Sequence, residues 1–344
     1  MVITRSGPVA IASDQFFPES YLTLAMPTTA QTLFLFLPGF VWGVWLPYLS
    51  ATIILFVGLN PLTKDFPHKQ GLDKFVALAP VFMAIPIAIF GTEHFTAAKI
   101  IAGMVPGWIP GHMFWALFVG TCLIAAALSI AAGKYAWLAA ALLGLMMCLF
   151  VVLIHIPNIA GAPHNRILWV VAVRELAFAG GAFSVSAVQK GGWTPVARNR
   201  FVTLARLTLT IAILVFGVEQ FLYPELLSGI PLERSTPVWI PARLVWSYLA
   251  GVVFVIAGIS MAINQRVRLA ATAAGLMTFV LVVVIYVPLL ISKPSDIGTG
   301  LNYLADTLLF CGSLLAFAET QPESLASEHQ SRESEAPSVQ ARAS

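Results

Sequence analysis

Apolar positions along this chain fall in long unbroken runs, not in alternation. The runs cover residues 31–58, 74–92, 110–131, 135–157, 166–188, 200–221, 240–262, 267–290 and 299–318, separated by short polar, Pro- or Gly-bearing links. Most approach or exceed the ~20 residues a helix needs to cross a hydrocarbon core of roughly 30 Å, and none resembles the short alternating segments of a spanning barrel. The pattern predicts an all-α, polytopic transmembrane helical protein of about nine spans. Pro38 and Pro47 interrupt the first run, which fits one long or kinked span or a re-entrant hairpin. Residues 1–30 form a mixed N-terminal segment without a basic head ahead of an apolar stretch, so no cleaved signal peptide is expected.

The runs also repeat. Trp108-Ile109-Pro110 returns as Trp239-Ile240-Pro241, and without a gap Trp115 pairs with Trp246, Gly120 with Gly251, Ser129 with Ser260, Gly144 with Gly275 and Pro157 with Pro288. This register predicts an internal duplication, with one four-helix repeat over 74–188, a second over 200–318 and an extra span at 31–58 outside both. An even number of spans per unit keeps the two repeats parallel, related by an axis along the membrane normal. Residues 319–344 turn to Glu, Ser, Gln and Ala without an aromatic, the composition of a disordered tail.

Composition agrees: 58% hydrophobic, 10% charged and a mean hydropathy of +0.86, against the ~25% charged residues of soluble chains. The lipid bilayer is therefore a partner. Lys64, Lys69, Lys74, Lys134, Lys190, Arg198, Arg200, Arg266 and Arg268 fall on one side of the expected topology, opposite Lys99, Arg166, Arg234 and Lys293. The basic excess assigns the first side, with the C-terminus, to the cytoplasm and the N-terminus to the outside. The net charge of +3 calls for no acidic partner. No phosphate loop, zinc-protease helix or nucleic-acid module is present, so no nucleic acid is expected. Cys122, Cys148 and Cys311 stand singly in apolar runs, which argues against a thiol–disulfide relay.

Polar residues inside the spans carry the candidate chemistry. Arg174 and Glu175 lie within one run, and Asp306, 131 residues after Glu175, lies within the last. Ionisable groups at such positions need partners, either as a structural ion pair or as a proton relay or ligand site. Glu93-His94-Phe95 returns as Glu219-Gln220-Phe221, whereas His155 corresponds to Tyr286 and His112 to Arg243. His94, His112, His155 and His164 are all expected at or beyond the outer ends of spans. They could ligate a metal or haem, or serve as polar interface anchors; no two have tight ligand spacing, and no metal site is assigned. The tryptophans at 108, 115, 239 and 246 suit an aromatic belt. The repeated prolines suit helix starts, and the paired glycines suit close helix contacts.

Gly91-Thr92-Glu93-His94-Phe95, Val105-Pro106-Gly107-Trp108-Ile109-Pro110, Gly120, His155-Ile156-Pro157 and Gly180-Gly181 together resemble the DoxX-like family of four-span membrane proteins. The second repeat keeps Gly217, Glu219, Phe221, Trp239-Ile240-Pro241, Gly251, Val287-Pro288 and Gly312 but lacks counterparts of His94 and His155. The resemblance covers about residues 74–318 as a tandem pair. It implies association with quinone-linked or other redox systems and a membrane redox partner. Two function classes follow. One is a quinone- or haem-associated redox subunit with an outer cavity near Glu93, His94, His155 and Glu175, in which His94 and His155 are the candidate cofactor contacts. The other is a non-enzymatic scaffold or a small-solute or proton pathway in which Arg174, Glu175 and Asp306 join the units or line a passage.

Overall fold

A computed structural model describes residues 42–189 and 191–321. Among these, nine helices are long and apolar enough to cross a membrane: α1 (Trp42–Thr63), α2 (Leu72–Thr96), α3 (His112–Ala132), α4 (Ala136–Gly161), α5 (Arg166–Val188), α6 (Pro195–Leu222), α7 (Arg243–Ala262), α8 (Val267–Ser292) and α9 (Ile297–Glu319). The described part is an all-α polytopic membrane protein without a sheet; its sole β-type pairing is an isolated bridge, Leu226 with Ser235. Residues 1–41, 190 and 322–344, which include the start of the expected first span and most of the tail, lie outside the described residues. Within 42–58 there is no hairpin turn: the helix runs on through Pro47 and past the expected end at 58.

Helix bounds recur along the chain. α3 and α7 start at 112 and 243, α4 and α8 at 136 and 267, α5 and α9 at 166 and 297, each pair 131 residues apart. α2 and α6 end at 96 and 222, a spacing of 126, because 97–111 connects the first pair of helices and the longer 223–242 the second. Contacts show the same correspondence. A Cβ on Gly91 would lie 3.0 Å from the Ile124 backbone nitrogen, and one on Gly217 3.0 Å from that of Val255, the residue 131 positions later.

Neighbouring helices pack in sequence from α2 round to α9, and α9 closes on α2. α5 and α9 also pack on each other across the middle, while α1 lies against α2 and α3. The central pair is enclosed all round, as a helix apolar on every face must be: Ala177–Ala187 of α5 and Ala305–Ala318 of α9 are buried without interruption. Small residues make this approach tolerable. Gly181 of α5 backs onto Ser313, and Gly312 of α9 lies against the Met83 backbone of α2. Peripheral helices instead show outward apolar stripes. Leu142, Leu145, Leu149 and Val152 of α4 are exposed at helical spacing, as a lipid-facing surface requires.

Local geometry corrects two expectations. Pro110 and Pro241 do not occupy the first helical turn. Each precedes a residue in the left-handed region, Gly111 (φ 74°) and Ala242 (φ 54°), after which α3 and α7 begin. The Trp115 and Trp246 indoles each donate to the preceding proline carbonyl at 3.1 Å, so the repeated motif is a folded corner. Second, His155 is not at the end of its span. It closes a π-helical turn, Val151–His155, that recurs as Val282–Tyr286, two residues ahead of Pro157 and Pro288 respectively. A proline ring crowds the carbonyl four residues back, and a widened turn relieves that conflict.

Candidate functional site

Three helices place a polar cluster inside the bundle. Arg174 of α5 donates from Nη1 to Asp306 Oδ2 of α9 at 2.7 Å and from Nη2 to Glu175 Oε1 at 3.0 Å. Its guanidinium also lies over the Phe178 ring, 5.8 Å from the centroid. Arg174 therefore serves both carboxylates. Eight residues into α5, it sits about 12 Å from the Arg166 end at ~1.5 Å per residue. Glu93 of α2 faces the Asn302 side chain of α9 and lies within electrostatic range of Asp306. On the other side His155 lies within range of Glu175 and Arg174. One arginine thus joins Asp306 of α9 to Glu175 of α5, with Glu93 and Asn302 near Asp306 on one side and His155 on the other.

The cluster is incompletely satisfied. Glu93 Oε1, Arg174 Nε and Asn302 Oδ1 are buried and have no hydrogen-bond partner among the described residues. Native structures rarely leave such atoms unpaired, and each costs about 1–3 kcal/mol of desolvation. One donor on α5 and one acceptor on each of α2 and α9 are thus left open to a further polar partner.

His94 is less directly joined to the cluster. Its Nδ1 is 2.7 Å from the Phe90 carbonyl, and its Cβ lies where a side chain on Gly120 of α3 would go. Glu219, the counterpart of Glu93, is paired with Arg166 at the start of α5. Arg166 also donates to the Pro231 carbonyl at 2.9 Å and the Leu232 carbonyl at 2.6 Å, and lies over the Tyr223 ring. His112 opens α3, and His164 lies in the α4–α5 turn. Among the described residues no three His, Cys, Asp or Glu side chains come together as a metal-ion site.

Sequence reasoning missed Asn302, the bridging role of Arg166, and Gln220 and Tyr286 as hydrogen-bond donors. The positions of Gln220 and Tyr286 opposite two histidines in the repeat were the available signal. An open groove of about 430 Å³ bounded by Phe56, Val57, Asn60, Pro61, Ala132 and Lys134 lies at the other end of the helices and holds none of the candidate residues. Comparison with known proteins found no match: no family model, no curated protein and no solved structure matches this chain.

Proposed function

We propose that this protein is a DoxX-like, quinone-associated redox subunit of a membrane, with the quinone headgroup held at the cluster of Glu93, Arg174, Glu175, Asn302 and Asp306. The observation that carries the proposal is the trio of buried unpartnered atoms, Glu93 Oε1, Arg174 Nε and Asn302 Oδ1. A quinone alternates between carbonyl and hydroxyl oxygens and supplies two-electron, two-proton chemistry when bound. Arg174 Nε–H suits a carbonyl oxygen, and Glu93 and Asn302 suit a hydroxyl, so the donor set fits both forms. The residues would orient the headgroup, exclude lipid from it, and place the carboxyl groups of Glu93, Asp306 and Glu175 in reach of its oxygens. Haem held by His94 and His155 is the alternative cofactor. In this scheme the chain comprises two parallel four-helix units, 74–188 and 200–318, in a bacterial cytoplasmic membrane with the N-terminus outside and the C-terminus inside, beside a redox partner that exchanges electrons with the quinone.

A second function has its own support: Arg174 hydrogen-bonds acids on both α5 and α9, as a scaffold or a proton or small-solute pathway joining the two units would need. One preparation separates them. Protein purified in mild detergent is examined by absorption spectroscopy and by mass spectrometry of an organic extract, alongside Glu93→Gln and a His94→Ala/His155→Ala double variant. Co-purified quinone that falls with Glu93→Gln supports the quinone site, and a haem spectrum lost in the double variant moves the assignment to haem. Quinone- and haem-free protein that also fails to bind added quinone refutes the redox assignment and leaves the scaffold or pathway.

A further inference from the structure

The helix that lies outside the recurring bounds, α1, forms a groove with the first half of the bundle. α1 packs closely at Gly58, where a Cβ would meet Val81 Cγ2 of α2 at 2.9 Å and Ala131 Cβ of α3 at 3.7 Å. One residue later α3 ends at Ala132 and turns through Gly133, whose φ of 66° suits glycine, whereas α1 continues to Thr63. The end of α1 therefore stands beside a turn that opens with small residues. The space left open is the groove of about 430 Å³ between Phe56, Val57, Asn60 and Pro61 of α1 and Ala132 and Lys134 of the α3–α4 turn.

Its lining is sorted by depth. Phe56 lies one helical turn, ~6 Å, further from the end of α1 than Asn60, and Lys134 follows the last residue of α3. The inner wall is thus apolar, and the polar groups, the Asn60 carboxamide and the Lys134 ammonium, stand at the helix ends. No acidic residue is among the described ones that line the groove. Two other lysines at this end of the bundle are engaged, Lys69 with Glu319 at 3.8 Å and Lys74 over the Phe66 ring, 5.3 Å from its centroid. Among the described residues the Lys134 side chain has no such partner. Only its backbone is held: the Ser129 carbonyl accepts its N–H at 3.1 Å, and the Ser129 hydroxyl donates to its carbonyl. In the second half Gln265 takes the position of Lys134, 131 residues on. No described helix takes the part of α1 there. The α7–α8 turn is fastened to α6 instead, by Arg206 Nη1 donating to Asn264 Oδ1 at 2.6 Å.

We propose that this groove binds one anionic glycerophospholipid from the leaflet at the basic end of the bundle, with an acyl chain against Phe56, Val57, Pro61 and Ala132 and the phosphate between the Lys134 ammonium and the Asn60 amide. Apolar wall within and polar groups at the helix ends is the order in which a lipid of that leaflet presents its own chain and headgroup, an order a soluble anion has no use for. An unpaired lysine without a neighbouring acid on the groove wall selects a net negative headgroup over a zwitterion. The lipid bridges α1 to the α3–α4 turn. The groove is remote from the buried Glu93 cluster, so the proposal stands whether or not that cluster takes a quinone.

The test is native mass spectrometry of the full chain released from mild detergent and titrated with phosphatidylglycerol or with phosphatidylcholine of the same acyl chains, which counts and ranks the bound lipids. The first phosphatidylglycerol should bind more tightly than the first phosphatidylcholine, and Lys134→Gln should cut that preference about fivefold, the ~1 kcal/mol that one lysine contributes near an anionic surface. Lys134→Arg should keep the preference, as should Arg200→Gln, which removes an exposed cation at the same end. Ala132→Phe fills the groove and should abolish the tight first adduct. Phe56→Ala alters a wall residue that is 68% exposed, so folding does not depend on it, and should weaken the first adduct of both lipids about threefold. Glycerol phosphate in large excess should displace nothing. Equal affinity of wild type for the two lipids, an equal loss in Lys134→Gln and Arg200→Gln, undiminished binding in Phe56→Ala and Ala132→Phe, or displacement by glycerol phosphate overturns the site.

Discussion

Replacing Arg174 with Met removes the one cation between two carboxylates. Asp306 is 5% exposed and Glu175 is largely enclosed, and Arg174 contacts them at 2.7 and 3.0 Å. Removing one member of a buried ion pair costs about 3–5 kcal/mol because the remaining charge is uncompensated, a large share of the ~5–15 kcal/mol typical of a folded domain. The triple variant Arg174→Met/Glu175→Met/Asp306→Leu removes the charges together and should lie within about 1 kcal/mol of wild type, since replacing a whole buried ionic cluster by packed apolar side chains changes net stability little. Unfolding in mixed micelles of rising dodecyl sulfate content, followed by tryptophan fluorescence and circular dichroism, measures both. If the single variant is as stable as wild type, Arg174 is not the shared partner of α5 and α9. If the triple variant is as damaged as the single one, the geometry of the bridge, and not its charge balance, holds the helices.

Gly312→Ala puts a Cβ 2.9 Å from the Met83 backbone nitrogen, where no side chain can swing aside; a loss of about 1–3 kcal/mol is expected in the same unfolding assay, and an unchanged midpoint rules out the close α2–α9 approach. Tyr286→Phe leaves the buried Ser228 carbonyl without its donor, at about 1–3 kcal/mol, so amide exchange across the buried Leu226–Leu232 segment should accelerate by roughly tenfold or more; unaltered protection means the hydroxyl does not hold that segment. For orientation, Gln265→Cys and Ser295→Cys lie in exposed turns at opposite ends of the helices, whereas the native thiols lie within spans. A membrane-impermeant maleimide applied to intact cells should label the cysteine at 295 and spare the one at 265; the reverse result inverts the proposed topology.

The sequence by itself determined that the chain lives in a membrane and where most of its helices lie, because an apolar run of sufficient length has few other stable environments. It also carried the 131-residue register, since Gly120 and Gly251, or Pro157 and Pro288, meet the same local demand twice. Charge in an apolar run marked Arg174, Glu175 and Asp306 as groups in need of partners. The partners themselves were decided by tertiary structure. Hydropathy is blind to which face of α5 meets α9, so the two hydrogen bonds of Arg174 and the approach of Asn302 to Glu93 could not be read from spacing. The fate of the longer connection at 223–242 was equally hidden: its inward fold depends on Gly229, Tyr286 and Gln220 meeting across three separate segments. Repetition in the sequence made the two halves look alike, and the packing of one loop makes them different.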